Sequence, residues 1–354
     1  MKHKPLPEEF NKLYGETFCI KPFTEICNSA SNSVKLCCES GIAIKNDKKD
    51  GKSLAEIFYN DSRIKEIRQK ILAGERVDIC NRCYHKESTF GSSMRISSSH
   101  SLKTVDPDLF DKILNVGHVE LRTMDVKFGN KCNLACVMCD PGSSSLIALD
   151  RVKNGFDPVL KNDWYDPGYT ELEFSEDEFE KLKKYASTIR SFSAKGGEPT
   201  ILPYYGEWIK FLVESGNSRN IRFFTVTNGT VDLSKKINQI REFKEFEICW
   251  SVDGIGKSFN YLRWPANFEK VSRNHKKMIK AVKDLSDDYK ISFLFSTVSH
   301  ALNIDQMIPV AKYAESLELV DEVSYNDAHG PDGLNSGLIT PERLDIFKKE
   351  IDDY

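Results

Sequence analysis

Lys127-Phe-Gly-Asn-Lys-Cys-Asn-Leu-Ala-Cys-Val-Met-Cys-Asp140 carries three thiols, Cys132, Cys136 and Cys139, on one short loop with C-x3-C-x2-C spacing. The loop follows Val119–Phe128, which reads as a strand. Thiolates are the usual protein ligands of iron–sulfur clusters. Three on one loop hold three irons of a [4Fe–4S] cube and leave the fourth iron without a protein ligand. An open coordination position marks a metal as reactive rather than structural. The competing reading is three unconnected thiols, or a zinc site whose fourth ligand lies elsewhere.

Beyond this loop the chain alternates helices and strands. A helix is expected from Ser144 to about Val152, an inserted loop rich in Asp, Gly, Pro and Tyr over 153–173, and a helix from the capping box Ser175-Glu-Asp-Glu178 to about Tyr185. Further strands are expected at Ile189–Ala194, Ile221–Thr227, Phe246–Val252, Ile291–Val298 and Glu322–Asn326, separated by helices at 203–215, 233–242, 268–284 and 305–317. This alternation predicts an α/β fold with a parallel sheet. In α/β barrels chemistry gathers at the carboxyl ends of the strands. The polar and glycine-rich motifs fall there: the cysteine loop, then Lys195-Gly-Gly-Glu-Pro199, Thr227-Asn-Gly229 and Ser251-Val-Asp-Gly254.

In order and placement these motifs resemble the radical S-adenosylmethionine (radical SAM) enzymes, whose core is a partial (β/α)6 TIM-like barrel. One position departs from the family pattern: Met138 stands before the third cysteine where an aromatic residue is usual. The resemblance implies that SAM chelates the open iron, and that one electron cleaves it to a 5′-deoxyadenosyl radical that abstracts hydrogen from a C–H bond. It implies that Gly196, Gly197 and Glu198 receive the SAM ammonium, a cation suited only by acceptors. Ser251 would bond the ribose or carboxylate, while Asp253 takes part or simply caps the turn before Gly254. Arg263, in Tyr261-Leu-Arg263, would pair with the SAM carboxylate, a match for a guanidinium fork. Asn228 would touch the ribose, or is only a turn asparagine. Tyr325, Asn326, Asp327 and His329, after the sixth strand, are candidates for substrate contact; loop polarity explains them equally well.

A second group of cysteines precedes the barrel: Cys19, Cys37, Cys38, Cys80 and Cys83, around helical stretches at Ser53–Phe58 and Ile64–Gly74. This stretch, with Tyr84-His-Lys-Glu87 and Gly91-Ser-Ser-Met-Arg95, resembles the Twitch module, a shortened relative of the SPASM domain, placed at the amino terminus. The resemblance implies a second [4Fe–4S] cluster on Cys19, Cys37, Cys80 and Cys83. Cys38 competes with Cys37, and a four-thiolate zinc site fits the same spacing. Cys27 and Cys249 read as small buried hydrophobes.

The expected architecture is therefore a small cysteine-rich α+β module over 1–110, a partial barrel over 111–330, and a carboxyl-terminal helix over 331–354 whose pattern has no clear stop. The expected activity is oxidation or cross-linking of a peptide or protein side chain, with a flavodoxin- or ferredoxin-type electron donor. The alternatives are radical dehydrogenation of a small molecule such as a carbohydrate, radical methyl transfer or sulfur insertion, and a non-catalytic zinc or iron–sulfur scaffold. With 354 residues, 40% hydrophobic, 29% charged and a formal charge of −3, the chain has ordinary globular composition. It carries no global charge footprint for nucleic acid. No apolar run suggests a signal peptide or membrane span, so the expected location is the cytoplasm. Ten cysteines in a reducing compartment read as metal ligands before disulfides.

Overall fold

The computed structural model describes residues 15–28, 33–41, 44, 52–156, 174–285, 289–328 and 331–354. The fold is α/β, with a mostly parallel eight-stranded sheet that does not close. Its strands are β1 (Glu25–Asn28), β2 (Val34–Lys35), β3 (Thr123–Lys127), β4 (Ser191–Lys195), β5 (Arg222–Thr227), β6 (Glu245–Ser251), β7 (Ile291–Ser299) and β8 (Val320–Asp327). The chain divides into two compact units, Met1–Val126 with Ser175–Phe192, and Lys127–Phe174 with Ser193–Tyr354.

In the second unit β5, β6, β7 and β8 pair in parallel, with Ile248 opposite Phe293 and Phe295 opposite Val323. Phe223 on β5 stacks on Phe246 of β6 at 4.9 Å, and Trp250 stacks on Phe293 at 4.8 Å. The helix Pro203–Glu214 buries Tyr205, Trp208, Ile209 and Leu212, the i, i+3, i+4, i+7 spacing of one helical face. Burying each such side chain contributes roughly 1.5–3 kcal/mol. The helix Phe268–Lys283, capped by Asn267, buries Val271, Asn274, His275, Met278 and Ile279 on the same principle.

The expected elements are present with two differences in this unit. The stretch 233–242 is a 3-10 turn, Leu233–Lys236, followed by one α turn, Ile237–Ile240. Asp232 caps the first turn through Ser234, and this tighter winding interrupts a continuous α-helix. A helix absent from the sequence reading, Gly256–Leu262, follows the Ser-Val-Asp-Gly motif. The inserted loop expected over 153–173 lies outside the described residues from 157 onward.

In the first unit β1 runs antiparallel to β2 and parallel to β3, with Glu25 opposite Thr123. Neither β1 nor β2 is visible in the sequence pattern. The strand expected over 119–128 is shorter, because Glu120 and Arg122 donate their amides to the carbonyls of Phe23 and Thr24 and Leu121 to the Tyr59 hydroxyl. Phe18, Ile20, Phe23, Ile71, Phe110 and Ile113 form the core. The buried Arg68 ties this core to the chain by donating to the carbonyls of Pro22 and Phe58, each at 2.7 Å. Among the described residues no helix is long and apolar enough to cross a membrane.

Candidate iron–sulfur and SAM site

The cysteine loop is held from three sides within the second unit. Ser144, the cap of the helix Ser145–Lys153, donates its hydroxyl to the Leu134 carbonyl at 2.6 Å, and Ser145 donates its amide to the Asn130 carbonyl at 2.9 Å. Asp140 closes the loop by accepting the amides of Gly142 and Ser143. On the third side Ala135 donates its amide to the Trp264 carbonyl at 2.7 Å and Val137 to the Leu262 carbonyl at 2.9 Å. Cys132, Cys136 and Cys139 are all partly exposed.

Gly196 and Gly197 press against the beginning of the same loop. A Cβ on Gly197 would lie 2.2 Å from the Lys131 carbonyl oxygen, and one on Gly196 would lie 2.8 Å from Lys127 Cβ; both residues have positive φ. Only glycine meets both demands. Glu198 then donates its amide to the Lys131 carbonyl at 2.9 Å.

The Glu198 side chain is buried and engaged. Its Oε1 accepts from Thr227 at 2.7 Å and from the hydroxyl of Thr200, and its Oε2 accepts the Asn228 amide at 2.6 Å. Burial raises its pKa and these donors oppose the rise. The carboxylate thus joins the ends of β4 and β5. Asn228 extends the join: its amide donates to Asn133 Oδ1 at 2.9 Å, and its Oδ1 accepts from Thr230 at 2.7 Å. Asn133 in turn donates to the Thr230 hydroxyl at 2.9 Å. From below, Asn274 donates to the carbonyls of Gly229 and Thr230. Asn133, Thr200, Thr227, Thr230 and Asn274 have no role in the sequence reading. Asn133 had a signal in its place beside Cys132, and Thr227 in its place at the head of Thr227-Asn-Gly229; the others lie in ordinary polar positions.

Arg263 is buried and forms an ion pair with the fully buried Asp253 at 2.5 Å. Its Nη1 also lies 3.9 Å from Cys136 Sγ. Asp253 Oδ1 accepts the Val298 amide at 2.7 Å, so the aspartate also ties β6 to β7. His300, fully buried, accepts the Leu302 amide on Nδ1 at 3.2 Å. Ser251, on the last position of β6, is partly exposed.

Burial pushes the Cys132 thiol up to about 11 and raises Cys136 and Cys139, with Arg263 opposing the rise at Cys136. Asp140, Cys136 and Cys132 add to the rise at Cys139. Soft sulfur donors beside a buried cation fit an anionic iron–sulfur cluster, and metal uptake must displace their protons. Among the described residues no three His, Cys, Asp or Glu side chains converge on one ion. A cube sets each thiolate on its own iron.

Of the substrate candidates, Tyr325 on β8 donates its hydroxyl to the Met307 carbonyl at 2.9 Å, and Asp327 ends the strand exposed. Asn326 donates to the Ser324 hydroxyl. His329 lies outside the described residues.

In the first unit Cys19, Cys37 and Cys83 are buried, Cys80 is partly exposed and Cys38 is exposed. Burial raises Cys19, with Cys37 and Cys80 adding to the rise, and pushes Cys80 up to about 11 with Cys83 adding. Burial raises Cys37 to about 12, and Cys38 is on the surface. Cys27 and Cys249 are buried on β1 and β6.

The sequence profile of the Radical SAM superfamily matches residues 126–314, more than half of the chain. Comparison with curated proteins finds no match. Among solved structures the chain is similar to anSMEcpe with bound AdoMet, at 18% identity and TM-score 0.45, covering 66% of this chain and 57% of that one. It is similar to SuiB of Streptococcus suis bound to the precursor peptide SuiA, at 13% identity and TM-score 0.44, covering 72% and 51%. It is also similar to a radical SAM methyltransferase from Sphaerobacter thermophilus, at 12% identity and TM-score 0.39, covering 66% and 64%. The chain thus spans less than two thirds of each of these proteins.

Proposed function

The chain belongs to the radical SAM superfamily, a superfamily of enzymes, and we propose that it oxidises or cross-links a peptide or protein side chain through a SAM-derived radical, assisted by a second cluster. In this reading Cys132, Cys136 and Cys139 hold the SAM cluster. When bound, that cluster supplies the electron that splits SAM and so generates a hydrogen-abstracting radical. The chain's own residues fix the geometry. Gly196 and Gly197 present backbone to the SAM ammonium, and Glu198 fixes that backbone against the cysteine loop. Asn228 and Ser251 line the ribose side. Cys19, Cys37, Cys80 and Cys83 hold the second cluster, an electron carrier if all four of its irons are ligated. A flavodoxin- or ferredoxin-type protein donates the electron.

The observation that carries the reading is the joint between motifs. The Gly-Gly-Glu backbone contacts the cysteine loop at Lys131, and Glu198, Asn228 and Asn133 bond strand ends to that loop. A scaffold has no use for three partly exposed thiols at the centre of such a joint. The peptide class is supported by β8: among the described residues it pairs only with β7, its side chains are exposed or half-exposed, and its outer edge can accept an extended chain by strand addition.

The test is anaerobic reconstitution followed by iron, sulfide and zinc analysis and a SAM-cleavage assay. Iron uptake with reductive release of 5′-deoxyadenosine is expected. Zinc alone, with no SAM cleavage, sinks the enzymatic reading. Mass analysis of products then separates loss of two hydrogens from methylation or sulfur insertion.

A further inference from the structure

Arg263 faces Cys136 by construction. The amides of Ala135 and Val137, on either side of Cys136, donate to the carbonyls of Trp264 and Leu262, on either side of Arg263. Two chain segments are thus clamped with Cys136 and Arg263 opposite each other, and Nη1 reaches to 3.9 Å from Sγ. Asp253 holds the guanidinium through Nη2 at 2.5 Å. Asp253 is itself fixed, through Oδ1 by the Val298 amide and through its carbonyl by Asn303 Nδ2 at 2.9 Å. This engagement differs from a free fork awaiting the SAM carboxylate.

We propose that Arg263, positioned by Asp253, donates a charge-assisted hydrogen bond from Nη1 to the Cys136 thiolate and so sets the reduction potential of the cluster on this loop. The inference rests on the reading that the loop holds an iron–sulfur cluster. Reduction adds one electron to a group that is already anionic. A buried cation and a donor at a ligand sulfur stabilise the extra charge, and hydrogen bonds to sulfur are among the determinants of cluster potential. Low local dielectric strengthens both effects. Asp253 acts in the opposite sense, since its negative charge pairs with the guanidinium through Nη2 and partly cancels it. Arg263 is thus a tuning residue and Asp253 a positioning residue.

The two charges give opposite expectations, which separates tuning from general damage. The measurement is a redox titration, followed by electron paramagnetic resonance, of the SAM-free reconstituted cluster in the Cys19/Cys37/Cys80/Cys83→Ala background, which isolates this cluster. Arg263→Gln is expected to lower the potential by about 59 mV or more, a tenfold change in the one-electron equilibrium. Asp253→Asn is expected to raise it, and Arg263→Lys to fall between wild type and Arg263→Gln. SAM affinity, measured by equilibrium dialysis, stays within the same order of magnitude in Arg263→Gln. An unchanged potential at full iron content overturns the proposal, as does a shift of both variants in the same direction. A large loss of SAM affinity with no shift in potential returns Arg263 to the SAM carboxylate. If Arg263→Gln takes up no iron, Arg263→Lys and Asp253→Asn decide by the signs of their shifts. Absence of iron from the background protein itself overturns the cluster reading, a separate result.

Discussion

Two cysteine-bearing regions of this protein each hold a buried arginine–carboxylate pair, and the pairs are used differently. In the first unit Arg95 grips Glu87 with two bonds, Nε to Oε1 at 2.8 Å and Nη2 to Oε2 at 2.6 Å, and its Nη1 donates to the Phe18 carbonyl at 2.8 Å. The guanidinium therefore holds the backbone next to Cys19, not a sulfur. In the second unit Arg263 pairs with Asp253 and reaches the Cys136 sulfur itself. The thiols differ in the same way. Those of the first unit are spread along the chain from Cys19 to Cys83; those of the second share one loop whose shape is fixed by its own neighbours. One set is dispersed over a whole unit, and the other is a local device.

That contrast is broken most severely by removing the sulfurs. The Cys132/Cys136/Cys139→Ala variant is expected to lose SAM cleavage completely, with iron falling from roughly eight to about four per chain, while the fold of the second unit persists. The Cys19/Cys37/Cys80/Cys83→Ala variant is expected to lose the other half of the iron and to retain reductive SAM cleavage. Circular dichroism melting checks the structural half: the holo protein loses thermal stability more in the second variant, because those thiolates tie distant segments together. Equal destabilisation by both variants would erase the distinction.

The arginine pairs give the next effect. Breaking a buried pair by removing one partner costs about 3–5 kcal/mol, whereas replacing both partners with apolar residues is often near neutral. Arg95→Met and Arg263→Met are expected to fall in that range, measured by urea unfolding of the metal-free protein. The double variants Arg95→Met/Glu87→Leu and Arg263→Met/Asp253→Leu should regain most of the loss. Only the second double variant should then show an altered cluster potential. A shift of equal size in both regions would mean that Arg95 also acts on a cluster.

A smaller effect separates glycines that carry the joint from those that only turn the chain. Gly197→Ala must move the Lys131 carbonyl and is expected to cost about 2–4 kcal/mol, with loss of SAM binding. Gly74→Ala, in the first unit at φ +77 with nothing within 4 Å of a Cβ, should cost only about 1 kcal/mol and leave SAM binding intact.

The sequence-to-structure comparison follows the same division. The elements of the second unit were legible because β/α alternation and motif placement are local patterns; the cysteine loop is named by its spacing, and the glycines and Arg263 by their resemblance to family motifs. What escaped was pairing across the sheet. Nothing in Glu25–Asn28 marks a strand, because four residues become one only by pairing with β3. Nor does spacing reveal that Glu198 is occupied by Thr227 and Asn228 as well as its neighbour Thr200, or that Arg263 is held by Asp253, since Thr227, Asn228 and Asp253 come from the ends of other strands. Side-chain type predicts which residues gather at the rim. It does not predict which of them bond to each other before any ligand arrives.

Histidine burial sharpens the comparison with the gentlest perturbation. His85, His100 and His118 of the first unit are exposed, whereas His275 and His300 of the second are fully buried. His275 lies 4.2 Å from the Trp250 ring, bonds Tyr313 at 3.1 Å, and supports Gly229, whose substitution would meet Nε2 at 2.7 Å. Burial pulls its pKa from 6.5 down to about 3. Because the folded value is the lower one, the unfolded chain binds the extra proton between these limits. Stability contributed by the neutral ring is full above pH 6.5 and is lost as pH falls toward 3. The loss is about 1.4 kcal/mol per pH unit. Urea unfolding between pH 6.5 and 4 should therefore show a shallower acid slope in His275→Gln than in wild type. Identical slopes in the two proteins would mean that His275 is solvated in the native state, and that the Thr227-Asn-Gly229 turn rests on a looser floor than its packing indicates.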